Sequence, residues 1–434
     1  MTPHFPKKIL VVLICMSFVS AAYSQKPPPD MVAGIPVNYD ETKVGTYTLP
    51  DPLILQNGDK VKNANTWVNK RRPEIFKLFR DLQFGNAPGK PADLKFNVFD
   101  KGTPVFNGTA IRKQVTIYFT KDTSDHKMEL LIYLPAKVDK PSPVLLNVSF
   151  TANSVNVDDP GVRPGYSWSR DGKKTLATAT TRPKFDVQKF LTKGIGVALV
   201  YYGDIEPDFP KGIAYGIRSV YLQPRAKQPA PDGWGAIAAW AWGLSRAMDY
   251  FETDKDINAK KIAVTGASRL GKTALWTGAQ DQRFAMVIAS ISGEGGAALS
   301  RRNYGETVAH ITDTARYFYQ FAPNYHDYSN KPDQLPIDGH MLISLIAPRP
   351  LLLQTGDSDH WSDPKGEFLA AVAAEPVYKL FKKEGPGTTI FPKPEDASML
   401  NTLGYYMHVG GHAVLPTDQD IFVEYILKHL VQKN

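Results

Sequence analysis

The stretch Lys261-Ile-Ala-Val-Thr-Gly-Ala-Ser268-Arg-Leu-Gly-Lys272-Thr-Ala-Leu-Trp276 sets the frame for the whole chain. An apolar run leads into Gly266, a serine follows two residues later, Gly271 comes next, and a helical pattern begins beyond it. Such an order of parts holds a serine on a sharp strand-to-helix turn. Small neighbours there let a substrate approach, and the helix N terminus favours developing negative charge. In the usual form of this turn the second glycine stands two residues after the serine; here Leu270 holds that place and Gly271 comes one later. A serine that merely caps the helix, and a phosphate-binding turn ending in Gly-Lys-Thr, are the competing readings. The phosphate loop fails because bulky Arg269 and Leu270 interrupt it and no later carboxylate strand for magnesium follows.

Working outward, short continuous apolar runs recur at 143–150, 195–202, 261–266, 284–290, 350–356 and 403–409. Runs of this kind are strands of a parallel sheet covered by helices on both faces. Two earlier runs, 114–120 and 127–134, read as an antiparallel pair. Between the second and third runs, 234–251 has an apolar-faced helical pattern whose Trp240 and Trp242 fit core packing better than a stacking platform. Residues 66–84 predict an N-terminal helix. The class is therefore α/β, with a doubly wound, mostly parallel sheet whose ligands gather beyond the carboxyl ends of its strands. Two long polar insertions, 151–186 and 312–340, are expected as surface loops at that edge.

A serine hydroxyl needs a base, and the base needs an orienting acid. In this kind of sheet both follow the serine, acid first. The last run ends in Tyr405-Tyr-Met-His408-Val-Gly-Gly-His412. His412 falls in the loop past the strand end, where a base belongs, whereas His408 lies inside the strand and reads as a packed histidine. The run 350–356 leads into Gly356-Asp357-Ser-Asp359-His-Trp-Ser-Asp363-Pro364. Asp359 is the preferred acid: Asp357 starts the turn and Asp363, before a proline, suits a helix cap. Glu294, after the preceding run, is the rival.

The chain has 434 residues, enough for one large core, and one catalytic domain over 65–434 is expected. Lys7 and Lys8 precede an apolar run from Ile9 to Ala22 and a small-residue site at Ala22-Tyr-Ser24, so residues 1–24 read as a signal peptide and the mature chain begins near Gln25. That run is shorter than a membrane span needs, so no anchor is expected in the mature protein. A proline-rich arm without periodicity follows, over 25–64. The single cysteine, Cys15, lies in the leader, which leaves no disulfide framework, thiol nucleophile or cysteine metal site. Neither a metal nor another cofactor is expected. A monomer exported to the periplasm or the exterior is. The net charge of +8 becomes +6 once the two leader lysines are removed, a surplus that suits an acidic polysaccharide or simply a solvated surface. No run of basic residues interleaved with aromatics appears, which argues against nucleic acid as partner.

Taken together, Gly266-Ala-Ser268-Arg-Leu-Gly-Lys272, Gly295-Gly-Ala-Ala-Leu-Ser-Arg-Arg302 with Gly305-Glu306, Asp359-His-Trp-Ser-Asp-Pro-Lys-Gly-Glu367-Phe and Gly411-His412 resemble the glucuronoyl esterases, carbohydrate esterase family 15. The resemblance covers roughly residues 65–432 and implies the α/β-hydrolase fold. It also implies cleavage of the ester between (4-O-methyl-)glucuronic acid of xylan and lignin alcohols, with glucuronoxylan as partner. By that similarity Ser268 attacks the carbonyl, His412 serves as base and then acid, Asp359 orients it, and Arg269 joins backbone N–H groups around the oxyanion. Lys272, Glu306 and Trp361 would meet the sugar hydroxyls and ring. Physically, Lys272 stands one helical turn from Ser268, and a lysine with a carboxylate can supply charge-assisted hydrogen bonds. A solvated lysine, a helix-surface glutamate and a core tryptophan are the plain alternatives.

This chain departs from the family twice. Ala267 replaces the cysteine that many relatives carry before the serine. Ile291 occupies the place where fungal relatives carry their catalytic glutamate, which under the resemblance makes Asp359 necessary. Serine-turn chemistry does not fix the acyl group, so an acetyl xylan esterase is the alternative enzyme. A non-catalytic glucuronoxylan-binding protein is the alternative of another class.

Overall fold

The computed structural model describes residue 1, residues 29–223 and residues 229–432; the signal-peptide reading and Cys15 lie outside them. Nine strands form one sheet: β1 Lys95–Val105, β2 Ala110–Tyr118, β3 Lys127–Pro135, β4 Ser142–Ser149, β5 Gly196–Tyr201, β6 Ile257–Ala267, β7 Met286–Ser290, β8 Leu351–Gly356 and β9 Leu403–His408. Their spatial order is β9-β8-β7-β6-β4-β5-β3-β2-β1. From β5 to β9 every pairing in the sheet is parallel, and β3 meets β5 antiparallel, as do β2 and β1 beyond it. Strand β4 lies between β5 and β6, so the order reverses beside the serine turn. Crevices for ligands open at such reversals.

Alternation along the strands explains why the runs read as continuously apolar. Leu145, Ala263, Ile288 and Leu352 face one core, which they share with Phe422 and Ile426 of the closing helix Pro416–Ile426. Their neighbours Leu146, Val264, Val287 and Leu353 face the other. There they meet α1 (Ala236–Phe251), α2 (Arg269–Gln280) and α3 (Pro364–Lys379). Helix α1 is buried on every side, Trp240 and Trp242 included. Both faces of the sheet are thus covered, the condition for an apolar run without polar alternation.

Two readings need correction. The polar and aromatic insertion 312–340 is not a surface loop: Tyr325, Leu335 and Ile337 are buried in the main core, because its aromatic residues pack inward while its polar ones remain at the cleft. Strand β1 was not foreseen, since its residues are mostly exposed at the sheet edge and Gly102 and Pro104 interrupt it. The expected N-terminal helix is present and runs without interruption from Ala64 to Phe84, its hydrogen bonding alternating between α and π patterns.

Arm residues lie against the cleft-side loops. Gly305 N donates to Asn38 O at 2.8 Å, and Asn38 Nδ2 to Asn303 O at 2.7 Å. Glu41 forms ion pairs with Arg302 and Lys365.

Candidate active site

Strand β6 ends at Ala267, and α2 begins at Arg269, immediately after the serine rather than beyond Gly271. Ser268 alone makes the turn, with φ 59° and ψ −128°, a conformation that costs a non-glycine residue strain and recurs at nucleophile turns. Its N–H donates to Ser290 O at 2.9 Å, which ties the turn to the end of β7. The displaced glycine now has a physical account. A Cβ on Gly271 would stand 2.6 Å from Ser290 O, and one on Gly266 would stand 2.4 Å from Leu270 O. Both glycines let the first turn of α2 press onto the strand ends, while Leu270 is buried in the core and needs no small residue.

The loops after β8 and β9 are brought together by the same kind of contact. A Cβ on Gly356 would meet Gly410 O and Gly411 O at 2.5 Å. Asp357 Oδ1 accepts from Gly410 N at 2.8 Å. Buried His408 anchors the second loop through contacts with Asp418 at 2.9 Å and Gly411 O at 3.1 Å. Burial alone would lower its pKa, but the Asp418 carboxylate prevails and raises it. Asp363 caps α3, accepting from Gly366 N, and pairs with Arg302. Between these supports, Asp359 Oδ2 lies 2.7 Å from His412 Nδ1. Asp359 is almost wholly buried, whereas the imidazole is 43 % exposed. Ser362 Oγ, which the sequence did not single out, lies 3.1 Å from the same ring nitrogen.

Ser268, Arg269, Lys272, Glu306, Trp361 and His412 line one cleft of about 250 Å³. No hydrogen bond joins Ser268 Oγ to His412 among the described residues, a looseness common before substrate binds. Ile291 lines the cleft as well. Glu294 does not touch the imidazole: its Oε1 accepts from Ser300 Oγ at 2.6 Å, and burial pushes its pKa up to about 8. Buried Glu367 is also raised to about 8 by burial; its Oε1 accepts from Gly293 N, and its Oε2 has no hydrogen-bond partner among the described residues.

The cations of the cleft differ in their pairing. Arg269 is ion-paired to Asp208 and stacks 4.6 Å from the Tyr317 ring centroid. Burial opposes the Arg269 charge, but the Asp208 carboxylate more than offsets it and raises the pKa. Asp208 in turn accepts from Tyr319 Oη at 2.7 Å and Gln320 Nε2 at 2.8 Å. Sequence reasoning missed Asp208, which has no motif around it and gains its partners from a segment 111 residues further on. Glu306 pairs with Arg316 at 2.8 Å, and Arg316 lies 5.1 Å from the Trp361 ring centroid. Lys272 is buried, its pKa lowered by burial against the opposing pull of Glu306. No carboxylate lies within ion-pair distance of its ammonium group among the described residues. Nor does any group of three or more His, Cys, Asp or Glu side chains among them converge as a metal site would.

A serine on a strained strand-to-helix turn, with a carboxylate-held histidine from the last strand in the same cleft, defines an α/β-hydrolase of the serine esterase class. A model for "Glucuronyl esterase, fungi" matches residues 230–382. "Carbohydrate esterase MZ0003", from an unknown prokaryotic organism, is 43% identical over 97% of this chain and 98% of its own length. Among solved structures, a glucuronoyl esterase from Solibacter usitatus has a TM-score of 0.84 at 42% identity, covering 89% of this chain and 99% of the other. A promiscuous CE15 esterase from a marine bacterial metagenome has a TM-score of 0.82 at 44% identity, covering 91% and 100%. The chain belongs to carbohydrate esterase family 15, and it is a carboxylic ester hydrolase.

Proposed function

We propose that this enzyme hydrolyses the ester between (4-O-methyl-)glucuronic acid of xylan and lignin alcohols, through an acyl-enzyme. The observation that carries the proposal is that His412, held by Asp359, lines the same cleft as Ser268 and a lysine without an ion-pair partner among the described residues. Ser268 Oγ attacks the acyl carbon as His412 takes its proton, and Asp359 holds the imidazole and stabilises its charge. The oxyanion forms beside Arg269 and the N–H groups at the start of α2. His412 returns the proton to the departing alcohol, and then activates water to release glucuronate. Lys272 and Glu306 take the sugar hydroxyls, with Trp361 against the ring.

The accompanying organisation is also a proposal: a leader over 1–24, an arm over 25–64, and one catalytic domain over 65–434, exported as a monomer to the periplasm or exterior. No helix among the described residues is long and apolar enough to cross a membrane.

The test compares a benzyl glucuronate ester with an acetyl ester, using wild type and Ser268→Ala. Glucuronate hydrolysis that falls by about 10⁴ to 10⁶ in the variant is expected. Preference for acetate would replace the acyl group in the proposal, and binding of glucuronoxylan without turnover would replace catalysis itself.

A further inference from the structure

Asp359 and Ser362 are the two ends of one tight turn between β8 and α3, in which Ser362 N donates to Asp359 O at 3.0 Å. Both side chains reach the same atom: His412 Nδ1 has Asp359 Oδ2 at 2.7 Å and Ser362 Oγ at 3.1 Å. A carboxylate oxygen only accepts, so Nδ1 carries the proton, and the Ser362 oxygen can then only accept from it as well. One N–H is thus shared between two acceptors, a three-centre bond. Ser362 is itself firmly seated. It is buried, and a Cβ on Gly293 would come within 3.3 Å of Ser362 Cβ, so the loop after β7 packs directly against it. Glu367 fixes that loop in turn, its Oε1 accepting from Gly293 N at 2.6 Å. The imidazole, by contrast, is 43 % exposed and follows two glycines, Gly410 and Gly411. A single bond to Asp359 would let such a ring swing about the line from Nδ1 to Oδ2. A second fixed acceptor off that line removes the freedom.

Resting on the catalytic roles proposed above for Ser268, Asp359 and His412, we infer that Ser362 is a positioning residue of this hydrolase. Its hydroxyl oxygen takes the second share of the His412 Nδ1–H, which keeps that nitrogen protonated and turns Nε2, the proton-accepting atom, towards Ser268. The Ser268 proton moves to Nε2 as Oγ bonds to the acyl carbon, and leaves Nε2 for the departing oxygen as the ester bond breaks. The proton on Nδ1 stays in place through both transfers, and Ser362 holds it without exchanging one. Its effect therefore falls on turnover, through the aim of the ring. Because Ser362 also lines the cleft, a direct contact with substrate is the competing role.

The test measures kcat and KM for wild type, Ser362→Ala, Asp359→Asn and the double variant. The substrate is whichever of a benzyl glucuronate ester and an acetyl ester the wild type cleaves, so the acyl assignment can fail without disturbing the result. Active-site titration refers each kcat to folded enzyme, so partial unfolding cannot imitate the effect. Ser362→Ala should lower kcat about 10- to 100-fold with KM within about twofold, the cost of a ring that is present but badly aimed. In the Asp359→Asn background the same change should cost less than about threefold, because groups that act as a unit lose their effect together. An equal fractional loss in both backgrounds would overturn the inference, since Ser362 would then act independently of the imidazole. So would an unchanged kcat, or a change confined to KM, which would give the hydroxyl to the substrate. Asp359→Asn as active as wild type would instead sink the proposed acid, and this inference with it.

Discussion

The imidazole of His412 is held at 2.7 Å by Asp359, while Glu294, the other acid available by strand order, is committed to Ser300. Replacing Asp359 with Asn should therefore lower kcat/KM by about 10³ to 10⁴, since the imidazole loses both its orientation and the partner for its charge. Glu294→Gln should cost less than about tenfold. Steady-state kinetics on one glucuronate ester decides between the two acids, and a larger loss from Glu294→Gln would reverse the assignment.

Strands β4 to β9 were legible because each is buried on both faces, and the proposed nucleophile, acid and base follow the strand order that topology imposes. What escaped notice was set by distant packing. Asp208 sits in a loop without periodicity and acquires meaning only when Tyr319, Gln320 and Arg269 fold around it. The segment 312–340 misled because its charged residues resemble solvent-facing loop, although Tyr325 and Ile337 are core residues. Gly271 looked like a misplaced turn residue until its closeness to Ser290 O explained it.

Asp208 fixes Arg269 from behind and makes no direct contact with the ester in the proposed reaction. Asp208→Asn should reduce kcat by about 10- to 100-fold with KM little changed, and Arg269→Ala by about 10² to 10³. A change confined to KM would show that Arg269 binds ground-state substrate instead.

Lys272 is a buried ammonium without an ion-pair partner among the described residues. Lys272→Met should raise KM for a glucuronate ester by about 10- to 100-fold, the worth of a charge-assisted hydrogen bond, and leave acetyl ester hydrolysis within about threefold. Parallel losses on both substrates would mean that the lysine supports the fold.

Glu367 favours its neutral form in the folded state, with a pKa near 8 against the ordinary 4.5. Between those values the native state holds more protons than the unfolded chain, so this group's contribution to stability is full below about pH 4.5 and declines as pH rises towards 8. Glu367→Gln, which cannot ionise, should flatten that decline by on the order of 2 kcal/mol. Melting temperatures at pH 5 and pH 8 check it; an equal fall in both proteins would show that Glu367 is not the source.

Gly271→Ala forces a methyl group against Ser290 O, at the contact that seats the nucleophile turn. We expect about 1–3 kcal/mol lost from stability, with activity reduced beyond what the unfolded fraction explains. Denaturant melts alongside active-site titration separate the two effects.

Glu41 pairs with Arg302, which also holds Asp363, and with Lys365 in the first turn of α3, directly after the loop that carries Asp359. A protein engineer who trims the proline-rich arm to obtain a minimal version would keep all nine strands of the large sheet and the lining of the cleft. The trimmed enzyme would nonetheless have surrendered ion pairs beside the loop that carries Asp359, so the arm around Glu41 belongs in any functional design.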